Sequence, residues 1–178
     1  AKKTNSVNTI FNKDGKTYGD NTDIIGFELS ILDSNVDLKN KSALIFGAGG
    51  VVSSIILALL TLKIEKIYIS NRTIEKANLI KDRFNSIEVV EWGNIKNCEL
   101  FINSTSVGLK TSDHLGLNFN DLKGSKIFYD VIYSTTENSS TSEGSVGAGI
   151  SKRRVSFSEN EDGEQVLTAP GLPTIQLL

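Results

Sequence analysis

The feature that most constrains this chain is an abrupt break. Ala43-Leu44-Ile45-Phe46 is a continuous apolar run that stops at Gly47-Ala48-Gly49-Gly50, and a second apolar stretch then runs from Val51 to Leu62. A short run apolar at every position reads as a strand buried on both faces, and the longer one suffices for a helix. Between them, Gly47 permits a tight turn and Gly49 lets the backbone approach a ligand, with Ala48 and Gly50 completing the loop. The helix start beyond supplies free N–H groups and positive potential, so the order strand, glycine turn, helix predicts a pyrophosphate-binding site. The third position of such fingerprints is Gly or Ala; here it is Val52, expected to hold the helix slightly off the strand. A glycine turn by itself also fits a plain connecting loop.

The flanking pattern extends the reading. Residues 6–11 are β-prone, Asp14-Gly15 signals a hairpin, and the return strand runs to Tyr18. Asn21 and Thr22 offer N-cap oxygens to a helix carrying Ile24, Ile25, Phe27, Leu29, Ile31 and Leu32. Further strands are predicted at 64–70, 87–90, 100–102 and 127–133, with a helix over 74–84. Strands apolar on both faces, alternating with helices, predict an α/β fold: a Rossmann-like, doubly wound parallel sheet covered on both sides by right-handed crossovers. No internal repeat is present.

The end of the second strand chooses between dinucleotides. An NAD site places a carboxylate about 20 residues past the fingerprint. This chain has Ser70-Asn71-Arg72-Thr73 there, with Lys76 one turn on. Arginine clamps a phosphate with two N–H groups and stacks on adenine, and lysine adds a point charge. An acidic residue would repel a 2′-phosphate, whereas Arg72 and Lys76 attract it. The cofactor expected is NADP; the plain alternative is a solvated basic helix start.

Together these segments resemble the shikimate dehydrogenase family. Ser6-Val7-Asn8-Thr9-Ile10 resembles its Ala-Val-Asn-Thr segment, and Gly19-Asp20-Asn21-Thr22-Asp23 with Gly26 resembles its Gly-Asp-Asn-Thr-Asp motif. Gly47 to Gly50 and Asn71-Arg72-Thr73 match further family motifs. Asn103-Ser104-Thr105 with Gly108 resembles the loop beside the nicotinamide, and Asp130-Val131-Ile132-Tyr133 the segment that closes the site. The resemblance implies reversible reduction of 3-dehydroshikimate to shikimate by NADPH, in aromatic amino-acid biosynthesis. It makes Asp23 one half of a Lys–Asp pair handling the proton, and places Asn8, Asp23 and Tyr133 at the substrate. It places Gly47, Ala48, Gly49, Gly50, Asn71, Arg72, Thr73, Lys76, Asn103, Ser104, Thr105 and Val131 at the cofactor. Without it, Asn8 and Asp23 read as a hairpin residue and a helix-start carboxylate.

The expected organisation is residues 1–22 as the end of a substrate-domain segment, 23–133 as the NADP-binding domain, and 134–178 as a mostly disordered tail. The family's Val-Pro-aromatic-Lys segment, which carries the catalytic lysine, is not in this sequence, and nothing after Tyr133 resembles the family's C-terminal motifs. With no initiator Met, the chain is expected to begin partway into a longer protein and to be inactive alone. In the tail, Lys152-Arg153-Arg154-Val155-Ser156-Phe157 resembles a docking motif for type-1 serine/threonine phosphatase, whose strand-like addition would seat Val155 and Phe157. Two other readings therefore stand beside the enzyme: an NADP-binding module whose tail recruits a partner, and a rearranged or fused chain.

Composition sets the outer bounds. At 178 residues and 39% hydrophobic content, one domain with an appendage can build a core. A net charge of −2 suggests neither a nucleic-acid nor a membrane-surface partner. Cys98 is the only cysteine, which fits a reducing, cytoplasmic setting. The single His114 and single Cys98 make no metal cluster, and His114 reads as a surface residue, Trp92 and Cys98 as packing residues.

Overall fold

The computed structural model describes residues 1–108 and 114–131, together with the backbone of three short strands within 156–176. The chain opens with a hairpin, β1 (Thr9–Lys13) and β2 (Lys16–Asp20), joined by Asp14 and Gly15. Both turn residues have positive φ (51° and 73°), the geometry that an Asp-Gly pair favours in a two-residue hairpin loop. Pairing of Lys13 with Lys16 sets the register, and it stacks Phe11 on Tyr18 with ring centroids 5.5 Å apart.

Helix α1 (Asp23–Asp33) follows, then β3 (Ser42–Phe46), α2 (Val52–Thr61), β4 (Lys66–Ser70), α3 (Ile74–Lys81), β5 (Ile87–Val90), β6 (Leu100–Asn103) and β7 (Ile127–Asp130). The five strands β3 to β7 form one parallel sheet in the order β5-β4-β3-β6-β7. Its order reverses at β3, the arrangement that opens a crevice beyond the carboxyl ends of β3 and β6.

Strand pleating divides the apolar residues between two clusters. Ala43, Ile45, Ile67, Ile69, Leu100 and Ile102 meet all three helices, through Phe27 and Ile31, Val52 to Leu59, and Ala77 and Ile80. Leu44, Phe46, Phe101 and Phe128 point the other way. Among the described residues that second face is covered by loops, not helices. Leu115, Phe119, Trp92 and the buried Cys98 lie over it. Phe119 makes edge-on contacts with Phe46, Phe101 and Phe128 at 5.4–6.1 Å. Both faces are covered, as the apolar strands predict, but the second layer is built from aromatic side chains carried on irregular backbone. At the amino end of the sheet, Ser42 donates both its N–H and its hydroxyl to Glu99, at 2.8 and 2.9 Å. Burial pushes the Glu99 carboxyl up, but these donors outweigh it and hold the group below its ordinary range.

Helix α2 ends by reversing through Lys63, whose φ is 59°, while Ile64 N–H reaches back to the Leu59 carbonyl at 3.1 Å. This closing position favours glycine, since a side chain in the left-handed region costs about 1–2 kcal/mol. Lys63→Gly, at an exposed site, is expected to raise stability by up to about 1 kcal/mol in urea unfolding, part of the gain being offset by glycine's extra chain entropy.

Three segments of the stretch read as mostly disordered take strand form: β8 (Ser156–Glu159), β9 (Gln165–Thr168) and β10 (Ile175–Gln176), antiparallel in the order β10-β9-β8. They coincide with the β-prone residues of that stretch, among them Phe157, Val166, Leu167 and Ile175.

Candidate active site

The loop after β3 is clamped from two sides. Gly47 N–H donates to the Ser70 carbonyl at the end of β4 (2.9 Å), and both Ser104 N–H and Ser104 Oγ donate to the Phe46 carbonyl (2.8 and 2.7 Å). Three neighbouring strand ends thus converge on one turn. Gly47 has φ +109°, and a Cβ there would lie 2.8 Å from both the carbonyl oxygen and Oγ of Ser104. No other residue fits. Gly49 and Gly50 differ: a Cβ on Gly49 would come no nearer than 4.0 Å to any atom, and one on Gly50 meets nothing. Among the described residues, the N–H groups of Ala48, Gly49, Gly50 and Val51 find no acceptor. Open space beside free donors at a helix start is the arrangement that receives an anionic phosphate. Val52, in place of the usual small residue, is fully buried in the helical-face core.

At the end of β4, Asn71 Nδ2 donates to the Thr73 carbonyl at 2.7 Å, shaping the turn into α3, of which Thr73 is the N-cap residue. Arg72 and Lys76 are exposed beside it. The only ion pair among the described residues joins the N-terminal amine to Asp20, so neither cation is spent on a carboxylate.

The loop after β6 is held from within. Asn103 is buried, and its Oδ1 accepts from Thr105 N–H (3.1 Å) and Thr105 Oγ (2.7 Å). Its Nδ2 donates to the Val107 carbonyl at 2.9 Å and to the Asp130 carboxylate at 3.2–3.3 Å. Val131 N–H donates to the Asn103 carbonyl (3.1 Å), carrying the β6–β7 pairing one step further. The hydrogen bonds of Asn103 and Thr105 shape this loop; they place Ser104 under Gly47. Tyr133 lies outside the described residues, as do Lys152 to Val155 of the phosphatase-like segment.

On the other side, Asn8 Oδ1 accepts from Thr22 N–H (2.9 Å) and the Thr22 and Thr9 hydroxyls (3.3 and 3.0 Å). The Asp23 carboxyl follows directly after Thr22, with the Asn8 side chain near enough to influence it. Burial is the larger influence on Asp23 and raises its pKa above the ordinary value; the Asn8 side chain opposes it. An acid whose pKa is raised by folding binds its proton more tightly in the native state, so it costs stability as pH rises from about 4 through the folded value. Asp23→Asn is therefore expected to raise the urea midpoint at pH 7 and leave it unchanged at pH 3. A carboxylate retained against stability suits a functional role.

Sequence reasoning missed one residue here. Asn21, expected only to offer an N-cap oxygen, is 3% exposed and bonds four partners. Thr22 is the N-cap residue of α1 and makes no side-chain cap bond, while Asn21 Oδ1 accepts from Asp23 N–H at 3.1 Å. Its motif was visible in sequence; its burial was not. Among the described residues no group of three His, Cys, Asp or Glu side chains is arranged to hold a metal, and no helix is long and apolar enough to cross a membrane.

Comparison with known proteins agrees with this geometry. The family model described as Shikimate / quinate 5-dehydrogenase matches residues 30–112. A shikimate dehydrogenase (NADP(+)) of Pelagibacter ubique (strain HTCC1062) is 49% identical over 147 residues, 83% of this chain and 56% of that protein. The Aquifex aeolicus (strain VF5) shikimate dehydrogenase (NADP(+)) is 38% identical, over 77% of this chain and 51% of its own length. The crystal structure of shikimate dehydrogenase from Aquifex aeolicus superposes with a TM-score of 0.74 at 35% identity, covering 84% of this chain and 56% of that one. The Thermus thermophilus enzyme, solved in complex with NADP(H) and shikimate, also gives 0.74, at 26% identity, over 84% of this chain and 57% of that one. The chain spans about half the length of the curated relatives it matches. Over the span of these matches the chain belongs to the shikimate dehydrogenase family.

Proposed function

We propose that the chain binds NADP in the crevice at β3 and β6 and serves the NADPH-dependent interconversion of 3-dehydroshikimate and shikimate. The observation that carries this reading is the open glycine turn with its free N–H groups, flanked by two uncommitted cations at the end of β4. In it, Ala48 to Val51 hold the pyrophosphate through backbone donors, and Arg72 and Lys76 hold the 2′-phosphate. The cofactor supplies the hydride. Of the remaining chemistry this chain's own groups supply one part, since the segment carrying the family's catalytic lysine is not in this sequence. Asn8 and Asp23 stand together on the hairpin side, where an amide and a carboxylate suit the hydroxyls of a polyol acid. Asp23, as carboxylate, accepts a hydrogen bond from the reacting hydroxyl and helps hold the proton that moves with the hydride. Asn103 and Thr105 keep the loop that shapes the nicotinamide end, with Val131 at its edge.

Calorimetric titration with NADP⁺ and NAD⁺ tests the binding step. Micromolar NADP⁺ binding with much weaker NAD⁺ binding is expected; equal affinity for the two would refute the assignment of Arg72 and Lys76. The substrate step is tested by adding shikimate to the NADP⁺-saturated chain, with Asp23→Asn as the comparison. For the tail segment around Val155 and Phe157 only the sequence motif speaks, and no partner is proposed.

A further inference from the structure

Asn21 joins parts of the molecule that the proposed function needs to work together. Its Nδ2 donates to the Ser6 carbonyl (3.2 Å) and lies 3.5 Å from Thr4 Oγ1, both in the segment leading to Asn8. Its Oδ1 accepts from Asp23 N–H and from Ser54 Oγ, each at 3.1 Å. Ser54 is fully buried in the first turn of α2, directly after the glycine loop. Val52 and Ser54 bracket the loop from behind: Val52 N–H returns to the Gly49 carbonyl (3.2 Å) and Ser54 N–H to the Val51 carbonyl (3.0 Å). A continuous chain of hydrogen bonds thus leads from the glycine turn through Ser54 and Asn21 to Asp23. From there Thr22, the residue between Asn21 and Asp23, reaches Asn8 Oδ1 through its N–H and its hydroxyl. Its middle members, Asn21 and Ser54, are buried and have little freedom to absorb a displacement, while Asn8 at the far end is exposed.

We infer that Asn21 is a positioning residue that transmits occupation of the α2 anion site to the Asn8–Asp23 pair, through the Ser54 hydroxyl. The inference rests on the cofactor reading above and adds to it a direction of coupling. Because the link is reciprocal, a ligand held by Asn8 and Asp23 would in turn tighten the anion site.

Adenosine 2′,5′-bisphosphate separates transmission from direct contact, since it carries the 2′-phosphate and the adenosine 5′-phosphate of NADP but no nicotinamide to touch Asp23. In a ¹⁵N-labelled chain titrated with this probe, the amide signals of Gly49 and Gly50 are expected to shift. Those of Asn8 and Asp23 should follow with the same midpoint. Asn21→Ala removes both donor and acceptor from a buried site and risks unfolding the hairpin. Ser54→Ala is the sharper variant, because Asn21 Oδ1 keeps the Asp23 N–H as a donor. In Ser54→Ala the Gly49 and Gly50 response should persist and the Asn8 and Asp23 response should be lost. Coupling is overturned if Asp23 still responds in Ser54→Ala, or if it never responds in the native chain while Gly49 does. Silence at Gly49 and Gly50 in the native chain would overturn the cofactor reading itself, and the coupling with it.

Discussion

Gly47→Ala is expected to cost about 2–5 kcal/mol of folding stability and to abolish NADP⁺ binding. Two effects add. At φ +109° an alanine sits where side-chain-bearing residues rarely do, and its Cβ would press to 2.8 Å against two atoms of Ser104. Ser104 cannot yield easily, because its N–H and hydroxyl both hold the Phe46 carbonyl. Relief requires parting β3 from β6 at the point where the crevice forms. Against a typical total of about 5–15 kcal/mol, a loss of this size is large enough to read directly in urea unfolding. Gly50→Ala is the matched control. Its Cβ meets nothing in the protein, so stability should change by less than about 1 kcal/mol. NADP⁺ binding should nevertheless weaken, since that open space is where the ligand would lie. If Gly47→Ala folded and bound normally, the clamp described here would be wrong.

Replacing Arg72 and Lys76 together by alanine should weaken NADP⁺ binding about 30- to 100-fold while changing NAD⁺ binding less than about threefold. Both side chains are exposed and neither is committed to a carboxylate among the described residues. Their removal should therefore leave the fold intact. A charge-assisted bond to phosphate is the strong kind, and arginine can make two at once. Because the cations are solvated, the NADP⁺ preference should also shrink as salt is raised, in step with screening over about 10 Å at 0.1 M. Equal losses for NADP⁺ and NAD⁺ would show that Arg72 acts by stacking on adenine and not by meeting the 2′-phosphate. Calorimetry on the variant with both dinucleotides decides it.

Much of the architecture was readable along the chain because it is local. The unbroken apolar run at Ala43 to Phe46 marks a strand buried on both sides, and the structure buries all four residues. Asp14-Gly15 requires little beyond its own two residues to turn the hairpin, and both adopt the positive φ that the pair favours. Gly47 could be assigned its turn from position alone, and Arg72 and Lys76 their charge from composition. Boundaries were less legible. Residues 6–8 precede β1, which begins at Thr9, and the Asn8 side chain turns to Thr22.

What linear order could not show were the uses that distant residues make of one another. Asn103 sits in a recognisable motif, but only folding brings Asp130, Val107 and Thr105 around its amide. The loop layer of Phe119, Leu115 and Trp92 over the second sheet face carries no periodicity, since side chains on irregular backbone have no repeat to reveal. Asn21 and Ser54 stand 33 positions apart and meet at 3.1 Å only because α1 packs beside α2. Propensity, pattern and turn chemistry act between neighbours and are written in order along the chain. Burial of a polar group and the partner that satisfies it are properties of the packed whole, and they come into being when the helices close on the sheet.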